Sequence, residues 1–327
     1  MRSIRRRRPA AVPALLAGLL ATLVLVLVLV PGQARAAGGP TAPALGPVAF
    51  NPPTASLELP LDAYTESRAE QRLLHTAQNR LTTRCMARYG LAYAAPDPAP
   101  PTGPEDRHEY LFGLADPARA AAYGYDRWGG RTRPPGKEEP PVLTEEAHLV
   151  LYGTRPGEPE GPEVPKGPVS EEEAREMDSG VVVGGRTVPV HGCAGEGYRI
   201  LNLPTRASMD PLYGQWASFD AYYRAKEDPR MTAVVRRWSQ CMDRAGYPGI
   251  VGPYEVERVL GLEDPAGPAA VAAAVQDVRC KRRVNLVGIG AAVISAHQRQ
   301  LLQRHAGDFA LHRQQREARL ALAATLV

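Results

Sequence analysis

The 327 residues contain none of the short patterns that mark common chemistries: no G-x-S-x-G, no P-loop, no H-E-x-x-H and no G-x-G-x-x-G. No nucleophile elbow, nucleotide cradle or dinucleotide fingerprint is therefore present, and the sequence calls for no cofactor. Cysteine is scarce, at 4 residues, and no two lie at C-x2-C spacing, which argues against a structural zinc site. Residues 1–36 hold no Lys and no acid, yet they hold Arg2, Arg5, Arg6, Arg7, Arg8 and Arg35. The chain's formal charge of +4 depends on them. Without these six, the 39 Lys and Arg fall to 33 against 35 acidic residues, a net of −2. The rest of the chain thus has no basic excess that would call for nucleic acid or another polyanionic partner. Gly and Pro are plentiful instead, at 31 and 32, and predict long irregular stretches.

The N-terminus reads as an export signal. Residues 1–8 form a basic segment, residues 14–30 an uncharged apolar run, and Pro31-Gly32 a break. Ala34-Arg35-Ala36 then offers the small residues of a cleavage site, with cleavage expected after Ala36. The alternative is an uncleaved membrane anchor over residues 10–30, since about 17 apolar residues is the lower limit for spanning a bilayer. Membrane association is expected only through this segment.

Cys85, Cys193, Cys241 and Cys280 all lie in the exported part, and an even count in an oxidising compartment predicts two disulfides. Four cysteines allow three pairings, and an internal pattern favours one. Residues 85–90 read Cys-Met-Ala-Arg-Tyr-Gly and residues 241–246 read Cys-Met-Asp-Arg-Ala-Gly. Residues 113–118, Gly-Leu-Ala-Asp-Pro-Ala, match residues 261–266, Gly-Leu-Glu-Asp-Pro-Ala, in the same order. Two ordered matches predict a duplication. Each Cys-Met block falls at the end of an apolar helical stripe. The first stripe is Leu74, Ala77, Leu81 and Cys85; the second is Met231, Val234, Val235, Trp238, Cys241 and Met242. A glycine suited to the left-handed position closes each. The favoured pairings are Cys85–Cys193 and Cys241–Cys280, one in each module. Four Asp-Pro pairs, at Asp116, Asp210, Asp228 and Asp264, read as helix starts, because Asp caps free N–H groups and Pro fits the first turn.

The predicted architecture is mainly α, with two related disulfide-stapled helical modules and a small β-hairpin carried on a Pro/Gly-rich insertion in the first. Its boundaries are a signal peptide at 1–36, a flexible linker at 37–60, module 1 at 61–226 with the insertion at about 129–190, and module 2 at 227–327. Within the insertion, Thr144 caps a helix over Glu145–Tyr152, Ser170 caps a turn at Glu171-Glu172-Glu173, and Val181–Val190 forms the hairpin around Gly184-Gly185. Leu212, Trp216, Phe219 and Tyr223 mark another helix face. Residues 289–325 read as one long C-terminal helix, weakened at Gly307 and largely solvated.

Candidate site residues are few. His305, Asp308 and His312 share one helical face and are the best metal set by type, being imidazole plus carboxylate. His191 stands near Cys193, as a nucleophile pair would require, but a disulfide there would remove the thiolate. Trp128, followed by Gly129-Gly130, is the best candidate for a surface ring in a sugar or peptide groove, while Trp238 belongs to the core stripe.

The Cys-Met-x-Arg-x-Gly helix end, the Gly-Leu-x-Asp-Pro-Ala block and the further Cys together resemble a set of uncharacterised exported proteins of high-GC Gram-positive bacteria. The later helix of those proteins, Asp-x-x-Cys, corresponds here to Asp277-Val278-Arg279-Cys280. The resemblance covers roughly residues 61–300. It implies an exported location and a shared scaffold, and brings no catalytic residue with it. The expectation is an exported, non-enzymatic binding or accessory protein with a cell-surface or extracellular partner. A secreted hydrolase and a membrane-tethered subunit of an envelope complex are the alternatives. Intact-mass measurement of the exported protein should give a chain starting at Ala37; a mass that includes residues 10–30 would instead establish the anchor.

Overall fold

The computed structural model describes residues 42–95, 107–129, 131, 142–157 and 169–327. The predicted signal peptide, most of the 94–105 loop and large parts of the predicted insertion lie outside the described residues. Among the described residues are eleven α-helices and one two-stranded antiparallel hairpin. The first four helices are α1 (Arg68–Ala87), α2 (Pro117–Tyr123), α3 (Glu145–Tyr152) and α4 (Glu171–Ala174). The hairpin, β1 (Val182–Val183) and β2 (Arg186–Thr187), pairs Val182 with Thr187 and Val183 with Arg186. After it come α5 (Gly192–Asn202), α6 (Tyr213–Glu227), α7 (Pro229–Arg244), α8 (Val256–Leu260), α9 (Pro268–Arg283), α10 (Leu286–Arg304) and α11 (Ala306–Leu326). No helix among the described residues is long and apolar enough to cross a membrane.

Helix boundaries follow local chemistry. Ser67 and Glu70 form a reciprocal capping box at the start of α1, and Ser170 and Glu173 do the same for α4. Thr144 caps α3 over the predicted span. Asp116 and Asp228 cap α2 and α7, each with Pro at the first turn. Asp210 and Asp264 behave differently: each carboxylate accepts the N–H two residues on, making a turn, and the helix starts later, at Tyr213 or Pro268. The two Cys-Met helices close in the same way. Gly90 and Gly246 have φ of +70° and +90°, and the next N–H, of Leu91 or Tyr247, reaches back to the carbonyl of Met86 or Met242. Both methionines are fully buried.

Both disulfides are formed as favoured, Cys85–Cys193 and Cys241–Cys280. The first joins α1 to α5 within a small core of Met86, Val150, Leu151, Val183 and Val188. The inserted α3 and hairpin therefore supply core residues to the first disulfide. The second joins α7 to α9 within the main core, around Trp238, Met242, Val278, Leu286 and Ile294.

Three expectations are corrected. The described part of the flexible linker, residues 42–60, is packed onto the helices. Asn285 donates from Nδ2 to the carbonyl of Ala49 (2.9 Å) and accepts the N–H of Asn51 (2.8 Å). Arg230 binds the carbonyl of Pro43 at 2.9 Å, and Leu59 is buried. Small residues on α10 permit this approach: a Cβ on Gly288 would lie 1.9 Å from the Ala49 carbonyl, and one on Gly290 would lie 2.4 Å from the Phe112 ring. Second, the C-terminal region is two helices, broken at His305 (φ −118°, ψ 34°), two residues before Gly307. Far from being solvated, α10 buries Val287, Val293, Ile294, Ala296, His297 and Gln298. Third, the boundary at 226/227 does not divide the core. Phe112, Leu114, Ala120 and Tyr125 share one core with α7, α9 and α10, and Ala323 of α11 packs with Ala77 and Leu201. Residues 42–327 form one unit.

The two cross-links close loops of 108 and 39 residues. In the chain-entropy account they contribute about 5 and about 4 kcal/mol. Urea unfolding of Cys85→Ser/Cys193→Ser and Cys241→Ser/Cys280→Ser variants should show losses of that order, larger for the first.

Candidate functional site

An apolar groove lies where α6, α7 and the 250–255 loop meet among the described residues, with a cavity volume of about 570 Å³. Phe112, Met231 and Leu286, all buried, form its floor, while Leu111, Tyr222, Val235, Val251 and Tyr254 form its walls. Lys226 and Arg236 stand at its rim, together with Thr232 and Glu255. The size is that of a small-molecule site.

The position of α6 follows from its small residues. Gly214, Ala221 and Ala225 are buried on one face, which lets α6 pack closely on its neighbours: α6 contacts α10, and a Cβ on Gly214 would lie 2.0 Å from the carbonyl of Tyr64. The predicted face of Leu212, Trp216, Phe219 and Tyr223 is real in spacing but points to solvent, with exposures of 44%, 55%, 44% and 63%. The Trp216 indole donates to Asp210 Oδ2 at 3.2 Å, and its ring lies 5.9 Å from that of Phe219. The rings of Tyr223 and Tyr222 are 5.8 Å apart, and Tyr222 lines the groove. A row of exposed rings thus leads along α6 into the apolar slot.

The groove's hydroxyls are already engaged. Tyr254 donates to the carbonyl of Leu111, Ser239 to that of Ile250 (2.6 Å) and Thr232 to that of Pro229 (3.1 Å). Tyr222 points its hydroxyl at that of Tyr254, 3.5 Å away. Burial pushes the Tyr254 phenol well above its ordinary pKa. Glu255 faces Arg258 at 3.6 Å.

Two buried polar clusters hold the surrounding helices. Asp277, fully buried, accepts from Trp238 Nε1 (2.8 Å), Tyr125 Oη (3.2 Å) and Lys281 Nζ (2.9 Å). Lys281 Nζ also donates to the carbonyl of Leu114 at 2.7 Å. Burial pushes the Asp277 carboxyl up and the Lys281 ammonium down, and their mutual contact opposes both shifts. The second cluster centres on Asp228, whose side chain is buried. It accepts from Arg230 at 2.6 Å and 2.8 Å and pairs with His297 Nε2 at 3.0 Å. The hydrogen bonds from Arg230 hold its carboxyl far below the usual aspartate range.

The residues singled out from sequence are dispersed. His305 Nδ1 and Asp308 Oδ2 are 3.4 Å apart on the surface, but His312 is buried and its Nε2 faces the carbonyl of Tyr64 at 3.1 Å. The break at His305 takes that residue off the α11 face, so the proposed metal set does not converge. Among the described residues, only Cys85, Cys193 and Glu196 form a set of three with candidate ligand atoms all within 4.8 Å of one another, and both sulfurs are in the disulfide. That bond also removes the thiolate a His191–Cys193 pair would need. Trp128 is half-buried and does not line the groove. Trp238 is core. Glu171 forms ion pairs with the buried Arg199 (3.2 Å) and with Arg175 (3.1 Å), a structural role. The groove itself escaped the sequence because its walls come from three distant segments. The available signal was the Gly214–Ala221–Ala225 face, which shows that the aromatic face must be the outer one.

The chain matches no family model, no curated protein and no solved structure.

Folding lowers the pKa of Asp228 below its ordinary 3.8. The stabilisation is therefore complete above that value and is lost as pH falls toward the folded one. Acid titration of stability should show a loss between about pH 5 and pH 2 that is flatter in Asp228→Asn, which should also be less stable at neutral pH.

Proposed function

We propose that this is an exported, extracytoplasmic binding or accessory protein, not an enzyme, that takes an apolar ligand in the groove between α6, α7 and the 250–255 loop. The observation that carries this reading is the groove: an apolar slot of about 570 Å³ on a disulfide-held scaffold. An exposed apolar surface of this kind is costly to keep in water unless something covers it. Its lining supports binding over catalysis. Thr232, Ser239 and Tyr254 each donate to a carbonyl of the chain itself, and among the described residues Glu255 is the only carboxylate lining the slot. The two disulfides and the predicted leader support an extracytoplasmic location.

The test uses a neutral apolar dye, N-phenyl-1-naphthylamine, with the disulfide-intact protein. Dye fluorescence should rise saturably with one site per chain. Thr232→Trp, at the exposed rim, should abolish the rise while leaving the circular dichroism and melting temperature unchanged. Absence of saturable uptake, or uptake indifferent to the rim substitution, would refute the binding reading.

A further inference from the structure

Resting on that reading, we propose that the ligand of the groove is an amphiphilic anion, with an acyl-type apolar chain in the slot and an acidic head held at the rim by Lys226 and Arg236. The argument begins with the polar groups on offer. The hydroxyls of Thr232, Ser239 and Tyr254 are each donated to a carbonyl of the chain. Glu255, the one acid, already faces Arg258. Lys226 and Arg236 are both exposed, and neither makes a hydrogen bond or ion pair within the described residues. The slot thus offers an apolar wall and two uncommitted positive charges, against a single engaged negative one. Charge complementarity then selects an anionic head.

The same inventory disfavours a peptide. A peptide backbone brings an N–H and a carbonyl at every residue, and burying them without partners costs free energy. This slot is built from helix faces and a loop, has no strand among its described lining residues, and has spent its hydroxyls internally. A hydrocarbon chain makes no such demand. It gains from burial in proportion to the apolar area covered. Two cations on different helices, Lys226 on α6 and Arg236 on α7, line the same slot, and an Arg can bind a carboxylate or phosphate through two N–H groups.

The test is displacement of N-phenyl-1-naphthylamine from the disulfide-intact protein by three ten-carbon probes: sodium decanoate, 1-decanol and decyltrimethylammonium, each below its micellar concentration. Decanoate should displace the dye most strongly and the trimethylammonium probe least. Lys226→Glu/Arg236→Glu changes only exposed side chains. It should weaken decanoate by about tenfold, leave decanol unchanged and favour the cation. Equal displacement by all three probes, or a double reversal without effect on decanoate, would overturn the assignment of an anionic head while leaving the apolar site standing. Saturable dye displacement by an acidic, apolar-rich decapeptide but not by decanoate would overturn it in favour of a peptide ligand. Failure of the dye itself to bind would instead count against the underlying binding reading.

Discussion

A buried carboxylate holds this fold together. Asp277 lies in the apolar core with no access to water, and it is tolerable there only because three donors meet it. They come from three places: Trp238 on α7, Tyr125 just after α2, and Lys281 one turn further along α9. Lys281 must itself be satisfied, and it reaches across to the carbonyl of Leu114. Residues 111–125, α7 and α9 are thereby fixed to one another by groups that cannot be left unpaired. Removing one partner would strand a charge in a low-dielectric interior, which is why such clusters specify position more than they add stability. The Cys241–Cys280 bond runs beside the cluster and fixes the same two helices covalently.

From this anchor the groove follows. Residues 111–125 are held in place by the cluster, so Leu111 and Phe112 are presented at the floor and wall of the slot. Phe112 can lie against α10 only because Gly290 has no side chain there. On the other side α6 is drawn against α10 by its small-residue face, which turns its large rings outward. The apolar surface is thus a consequence of how the core is satisfied. It is flanked by α6 and α7 and edged by Lys226 and Arg236, which no carboxylate of the described fold neutralises.

The relation between the halves of the chain is the point on which sequence and structure diverge most. The repeated Cys-Met blocks do end their helices with the same left-handed glycine and the same reach-back hydrogen bond, and both methionines seal a core. Yet the helices are not divided into two bodies. α11 returns to pack on α1, and residues 42–60 cross over α10. Local identity at a helix end carries no information on which partner that helix will find.

What the sequence by itself determined was local and covalent. Helix ends at Thr144, Ser170, Asp116 and Asp228 were legible because a cap needs only neighbours a few residues away. The hairpin at Gly184-Gly185 was legible for the same reason, and the repeated Cys-Met blocks favoured the two pairings that form. What only the tertiary structure decided was direction and partnership. Trp216 and Tyr223 read the same from sequence whether their face looks inward or outward, and the sign was set by the burial of Gly214, Ala221 and Ala225 on the opposite side of α6. His305, Asp308 and His312 fit one ideal helix, but the chain breaks at the first of them. Asp277 could be read as a helix residue before a Cys, but not as the charge around which Tyr125, Trp238 and Lys281 gather. Those contacts span up to 152 residues, and only packing brings such distant groups to one point.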